Sequence, residues 1–427
     1  MKTFEQIAEL ERRYLLGTYN RYPVALSRGK GVFVYDLEDR RYLDFVSGLG
    51  VNALGHAHPR IVKTIREQAA KLIHVSNLYY HEYQGELAEK LCTLAGGASS
   101  DQPSSGQASL GQASFAQASG KNFRAFFSNS GTEAIEGSIK LARLAGHRAG
   151  GQAKSRLVGL QGSYHGRTFG ALSLTGQEKH RKGFEPLLEE VTFVAQNDLE
   201  GLRAAVDDNT CAIVLEPIFG EGGIYECSVE FLQECRALAD RHRAALIFDE
   251  IQCGLGRTGT MFAFQGFGVT PDMVAIAKPI AAGLPLGAFL AKEEFATAIS
   301  AGQHGTTFGG GPLACRVALE FLAIVEEEKL LENVNKVGAY LQSELRAIAE
   351  KSAAAREVRG RGFIQGINLE IPARPIVDAA LAEGVLFNST QDTVVRFLPP
   401  FLLQEKHVDK GMRVLKKLLK KKTAKAA

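Results

Sequence analysis

Residues 244–278 read AALIFDEIQCGLGRTGTMFAFQGFGVTPDMVAIAK. Two apolar runs bound this stretch, AALIF at 244–248 and DMVAI at 272–276, and each leads into a charged residue, Asp249 and Lys278. Runs this short and this apolar predict strands buried on both faces of a parallel sheet. A carboxylate at the end of such a strand needs a cationic partner, and a protonated pyridine nitrogen is one. A lysine leaving a buried strand must snorkel, pair or lose its proton.

Similar runs recur on either side, at 124–127, 156–160, 190–194, 211–215 and 286–291. Stretches with helical periodicity, such as 130–144 and 229–243, lie between them. The alternation predicts an α/β fold with a mostly parallel seven-stranded sheet covered on both faces. Ligands gather at the carboxyl ends of the strands in such sheets. Residues 33–46 predict a hairpin, and residues 60–73 a helix. Past 312 a long helical pattern over 312–350 precedes runs at 362–369, 385–388 and 394–398, which predict a smaller α+β domain. The expected division is an N-terminal segment, 1–50, packing with the small domain, a large domain over 51–311, and the small C-terminal domain over 312–427.

Asn129-Ser130-Gly131-Thr132-Glu133 follows the first run and opens a helical pattern. Ser130 and Glu133 have capping-box spacing. Gly131 permits close backbone approach, and free N–H groups at a helix start favour an anion such as phosphate. Taken alone, the five residues also fit an ordinary capped helix. Gly254–Gly259 matches the dinucleotide pattern G-x-G-x-x-G, but it leads into no periodic helix and the required acid about 20 residues on is missing.

Composition excludes several classes. The chain has 427 residues, 45% hydrophobic, and its 50 basic and 47 acidic residues leave +3. That size suits two domains, and the balance gives no basic stripe for nucleic acid. The lysines from Lys416 to Lys425 alternate with Leu415, Leu418 and Leu419, which predicts a C-terminal helix with one buried face. Six cysteines are scattered without paired spacing, which fits a reducing compartment. The N-terminus carries charges where a signal peptide needs an apolar run, and no stretch approaches a membrane helix. The expected location is the cytoplasm. Residues 96–120 repeat Gly-Gln-Ala-Ser and offer too little to bury, so a flexible surface insert is expected. His56 and His58 imitate a metal pair, but no third ligand accompanies them, and GHAHP is expected to be a turn without metal.

The phosphate-type loop, the acid and the lysine all fall at strand ends of one predicted sheet. With YNRYPVAL at 19–26, YLDFVSGLGVNALGHAHP at 42–59, NSGTEAIEGSIKLAR at 129–143, YHGRTFGALSLTG at 164–176, EPIFGEGGI at 216–224, LIFDEIQCGLGRTG at 246–259, AKPIAAGLPLGA at 277–288, GTTFGGGPLACR at 305–316 and VRFLPP at 395–400, the sequence resembles the class III (subgroup II) aminotransferases of fold type I. Within them it is similar to the acetylornithine aminotransferases. The resemblance runs nearly end to end.

It implies pyridoxal 5'-phosphate (PLP) as cofactor, with Lys278 holding it as an imine and then moving the substrate proton. It implies Asp249 at the pyridinium nitrogen, Gln252 at the ring hydroxyl, and Ile251 and Tyr164 on the two ring faces. Ser130, Gly131 and Thr132 would bind the phosphate, and Thr307 would reach the phosphate of a neighbouring subunit in a homodimer. Arg167 and Arg396 resemble carboxylate clamps, for which a planar guanidinium is suited. Glu221 resembles a gate that pairs with Arg396 for the amino donor and releases it for 2-oxoglutarate. The implied reaction moves the terminal amino group of N-acetyl-L-ornithine to 2-oxoglutarate.

Departures from the family are Tyr164, where Phe is usual, Ala281 and Ala282 in a Gly-rich run, and Gly311, where Asn is usual. The Tyr164 hydroxyl needs a partner. Glu216, at a strand end, stays outside the catalytic set. The alternative donors are ornithine, succinylornithine, succinyl-diaminopimelate, 4-aminobutyrate and a carrier-bound amine. A same-fold aminomutase and a non-enzymatic nucleotide-binding protein are the other readings.

Overall fold

The computed structural model describes residues 2–97 and 123–426, with side chains through Lys420. The insert expected at 96–120 lies outside the described residues from 98 onward; Gly96 ends the helix Glu82–Gly96. A helix, Phe4–Tyr14, opens the chain, and three strands follow: β1 (Leu26–Lys30), β2 (Phe33–Asp36) and β3 (Arg41–Asp44). The expected hairpin is β2 and β3, paired antiparallel.

Seven strands follow: β4 (Phe123–Ser128), β5 (Arg156–Leu160), β6 (Val191–Val194), β7 (Thr210–Leu215), β8 (Ala245–Asp249), β9 (Met273–Ile276) and β10 (Gly287–Lys292). They form one sheet in the order β4-β10-β9-β8-β7-β5-β6. β6, β5, β7, β8 and β9 pair parallel. β10 runs antiparallel to β9 and β4.

Alternation along each strand builds two cores. Leu246, Phe248, Val274 and Ile276 face one apolar cluster, and Ala245, Ile247, Met273 and Ala275 face the other. That is the period-two geometry of a strand with both faces buried, which is why the runs carry no polar positions. The helix Gly131–Gly150 buries Ile135, Ile139 and Ala142 in the second cluster, and the helix Pro312–Glu327 buries Val317, Phe321 and Ile324 in the first. Burying each large side chain contributes about 1.5–3 kcal/mol.

The C-terminal strands are β11 (Ala355–Arg361), β12 (Ile364–Leu369), β13 (Val385–Leu386), β14 (Asn388–Thr390) and β15 (Val394–Phe397). β11-β12-β15-β14 form an antiparallel sheet, and β13 adds to β3 in parallel. The helical pattern over 312–350 is two helices, Pro312–Glu327 and Leu330–Ala349, broken where Lys329 turns left-handed (φ 50°). The last helix, Glu405–Ala426, buries Leu415, Leu418 and Leu419, while Lys416 and Lys417 pair with Glu344 and Glu383.

Gly254–Gly259 folds as turns, with Arg257 buried against the backbone carbonyls of Gly50, Phe363 and Pro399. His56 bonds Asp44 at 2.7 Å and His58 lies 3.4 Å from Glu328. No described helix is long and apolar enough to cross a membrane.

Candidate active site

The parallel strands all end at one edge of the sheet. β8 delivers Asp249 there, β9 delivers Lys278, β4 leads to Ser130, β7 leads to Glu216, and the turn after β5 carries Tyr164. These ends enclose a cavity of about 410 Å³, lined by Ser130, Gly131, Thr132, Tyr164, Arg167, Glu216, Glu221, Asp249, Ile251, Gln252 and Lys278 among others. Ten of the twelve residues singled out by sequence therefore meet in one place. Arg396 stands just behind the wall, bonded to Glu221 and Gln252. Thr307 is exposed and outside the lining.

Lys278 Nζ has no hydrogen-bond or ion-pair partner among the described residues. Burial pushes its pKa down, with Arg396 adding to the effect and Asp249 and Glu221 opposing it. Its backbone is strained, with φ at 31° in a region that favours glycine, a cost of about 1–3 kcal/mol that the surrounding packing must offset. A free amine held in this way is a base and a nucleophile in waiting.

Asp249, 4% exposed, accepts the Ile251 N–H at 3.0 Å and bonds His165 Nδ1 at 2.8 Å. His165 is itself buried, and its other ring nitrogen, Nε2, has no partner among the described residues. Burial pulls the His165 pKa down, but Asp249 and then Glu216 outweigh it and raise it. Sequence reading overlooked His165 although it lies inside the YHGRT motif; its contact with Asp249 spans 84 positions of chain. Glu216 accepts the N–H groups of Tyr164 (2.8 Å) and Gly220 (3.0 Å). Burial, then the charge of Asp249, pushes its pKa up to about 7.

At the other end of the cavity the helix Gly131–Gly150 begins. Ser130 Oγ accepts the Glu133 N–H at 3.4 Å, one half of the expected capping box. The return half goes elsewhere: Glu133 takes the N–H of Asn129 at 2.6 Å. The N–H groups of Ser130, Gly131 and Thr132 consequently have no acceptor among the described residues. A Cβ on Gly131 would stand 2.6 Å from Ile251 Cδ1, so glycine lets Ile251 lie close beside this helix start.

Arg396, 1% exposed, is held by Asn388 Oδ1 (Nε 3.0 Å, Nη2 2.6 Å), Gly220 O (2.7 Å), Gln252 Oε1 (3.1 Å) and Glu221 Oε1 (2.7 Å). Burial pushes the Glu221 pKa up, yet the charge and hydrogen bond of Arg396, followed by Lys278, hold it below the usual range. Asn388 is a second residue that sequence reading missed. Arg167 is exposed, and its Nε donates to the Tyr164 hydroxyl at 3.3 Å.

Comparison with known proteins decides what such a site belongs to. The model of the family "Aminotransferase class-III" matches residues 17–419. A curated relative named acetylornithine aminotransferase, from Caldanaerobacter subterraneus subsp. tengcongensis, is 42% identical over 410 residues, covering 96% of this chain and 98% of the relative. The chain belongs to the class-III aminotransferases. Among solved structures, the ornithine aminotransferase of Toxoplasma gondii ME49 superposes with a TM-score of 0.90 at 27% identity, over 100% of this chain and 97% of that one. The acetylornithine aminotransferase of Elizabethkingia anophelis gives 0.82 at 29%, over 99% and 100%.

Class-III aminotransferases are PLP-dependent transaminases, and this aminotransferase has the groups such a cofactor needs. The cavity offers an unpartnered amine, a buried carboxylate and three free N–H groups at a helix start. An aldehyde, a pyridinium and a phosphate are the complements of those three features. Ala282, one of the departures, adopts a left-handed φ of 48° at the end of the short turn that Lys278 begins, where glycine would be unstrained. Gly311 caps the helix Pro312–Glu327, and a Cβ there would face Phe308, His74 and Ile73.

Proposed function

We propose that this enzyme transfers the terminal amino group of N-acetyl-L-ornithine to 2-oxoglutarate, giving N-acetyl-L-glutamate 5-semialdehyde and glutamate, an amino-transfer step of arginine biosynthesis. The observation that carries the reading is the Arg396–Glu221 pair at 2.7 Å on the wall of the cavity that holds Lys278. A donor that presents an uncharged chain and a distal amine meets a neutralised guanidinium. An acceptor with a second carboxylate can displace Glu221 and take the guanidinium for itself. One cavity can thus serve two substrates of different shape. The relative at 42% identity carries the acetylornithine name, which supports the acetylated donor over free ornithine.

PLP, when bound, withdraws the electrons left on the substrate carbon after its proton is lost. Lys278 Nζ would hold the cofactor's aldehyde carbon, then take the proton from the amine-bearing carbon of the substrate and keep it inside the cavity. Its pKa, lowered by burial, makes it a readier carrier of that proton than an ordinary lysine. Asp249, oriented by His165, would face the ring nitrogen and keep it protonated. Ser130, Gly131 and Thr132 would hold the phosphate, Ile251 and Tyr164 would enclose the ring, and Gln252 would contact its hydroxyl. Arg167, at the open side, would take the α-carboxylate of the acetylated donor.

The enzyme would work as a homodimer. Leu78, Tyr79, Tyr80, Phe169 and Phe308 are all exposed, large side chains that a partner subunit would cover. Thr307 is exposed and precedes the exposed Phe308 in sequence, which leaves it open to reach a neighbour's phosphate. The division into an N-terminal segment (1–50), a large domain (51–311) and a small domain (312–427) is supported by β13, which pairs with β3 and so ties the first segment to the last. Six unpaired cysteines suit the cytoplasm.

A single-turnover panel of donors on the PLP-loaded enzyme tests the assignment. N-Acetyl-L-ornithine should discharge the cofactor's absorbance fastest, with 2-oxoglutarate restoring it. Faster discharge by ornithine, succinylornithine or 4-aminobutyrate, or turnover without 2-oxoglutarate, would reject it.

A further inference from the structure

We infer that the Tyr164 hydroxyl is a positioning group that sets Arg167 for the α-carboxylate of the amino donor and so sharpens the choice of donor. The inference rests on the reading of Arg167 given above.

Arg167 has one hydrogen bond among the described residues, from Nε to the Tyr164 hydroxyl at 3.3 Å, and no carboxylate partner. Its guanidinium lies 5.6 Å from the Tyr164 ring centroid. Anchoring Nε leaves the two terminal nitrogens as the free edge, the edge that binds a carboxylate with two parallel bonds. An exposed arginine without an anchor loses much rotamer freedom when it binds, and an anchor removes part of that loss beforehand.

Tyr164 is well placed for this task because it is itself fixed. Its N–H donates to buried Glu216 at 2.8 Å, and His180 packs edge-on against its ring at 5.7 Å and 82°. The ring lines the cavity while the hydroxyl stands at Arg167. The phenylalanine usual in this family would keep the ring and lose the anchor. The residue that departs from the family pattern thus joins the cofactor region to the substrate clamp.

The test compares two donors on the PLP-loaded enzyme: N-acetyl-L-ornithine and N-acetylputrescine, which is the same amine without the α-carboxylate. The quantity read is the ratio of their kcat/KM values in wild type, Tyr164→Phe, Arg167→Met and the double variant. Arg167→Met should abolish most of the preference for the carboxylate. Tyr164→Phe should lower the ratio about 3- to 10-fold, the range of one hydrogen bond to a charged group at a partly exposed site, chiefly through KM of N-acetyl-L-ornithine. In the Arg167→Met background Tyr164→Phe should not change the ratio further. If Arg167→Met keeps the full preference, the reading of Arg167 falls and the inference with it. If Arg167→Met loses the preference but Tyr164→Phe keeps it, or slows both donors equally, the inference alone is overturned.

Discussion

Replacing Glu221 by glutamine removes one charge and almost no volume. On the proposed gate, a second substrate carboxylate would have to displace Glu221 from Arg396, breaking a 2.7 Å charge-assisted bond. Such bonds contribute about 1.5–3 kcal/mol. Glu221 is 31% exposed, so solvent screening brings the relevant value to about 1–2 kcal/mol. Arg396 keeps its bonds to Asn388, Gly220 and Gln252, so the guanidinium should stay in place in the variant. The half-reaction with 2-oxoglutarate should then show an apparent affinity about 5- to 30-fold tighter. The half-reaction with N-acetyl-L-ornithine should weaken, because the donor's ammonium meets an unneutralised cation on approach. Each half-reaction can be followed separately by the cofactor's absorbance after rapid mixing. An unchanged or weaker affinity for 2-oxoglutarate, with the donor step intact, would refute the gate.

Three further outcomes follow from the same geometry. Asp249→Asn should retain cofactor, because Lys278 and the helix start are untouched, yet slow turnover by at least about 100-fold; wild-type kinetics would remove Asp249 from the ring nitrogen. Glu250, buried against the N–H groups of Ala263 and Phe264, has its pKa raised by burial from 4.5 to about 8. The folded state therefore binds this proton more tightly than the unfolded state, and ionisation destabilises the fold as pH rises through that window. Denaturant titrations should show Glu250→Gln declining less than wild type between these two pH values, and parallel declines would contradict the assignment. Ala282→Gly should relieve the left-handed strain at the end of the turn Lys278–Ala281 and raise stability by about 0.5–1 kcal/mol after the entropy of the added glycine, seen as a higher thermal midpoint; a lower midpoint would show that the methyl group is needed.

The central sheet was legible because its inner strands, β5 and β7 to β10, are buried almost throughout, so each reads as an apolar run with turn residues at its ends, while β4 and β6 at the two edges are partly exposed. β8 and β9 start and end within one residue of the runs that announced them. The strands that sequence reading overlooked are edges. β1 reads LSRGK and β11 reads AREVRGR; Arg28 and Lys30 on β1 and Arg356 and Glu357 on β11 are exposed, which guards a sheet edge and hides the period of two. The break at Lys329 is equally quiet, because one left-handed residue between two amphipathic helices barely disturbs their spacing.

In the site, motif residues at strand ends could be named because the topology of a parallel sheet brings such ends together. Partners fixed by long-range packing could not. Asn388 holds Arg396 from the edge strand β14, and nothing in its local sequence distinguishes it from a turn residue. The partner of the Tyr164 hydroxyl is three positions away in sequence, but the geometry that joins them comes from the turn after β5.

The chemistry of this cavity turns on the amine at position 278. Borohydride reduction of the PLP-loaded protein, followed by proteolysis and mass spectrometry, locates the lysine bonded to the cofactor. A pyridoxyl-phosphate adduct on the peptide containing Lys278, and its loss in Lys278→Ala, is the predicted result. An adduct on another lysine, or substantial multiple turnover by Lys278→Ala, would contradict it.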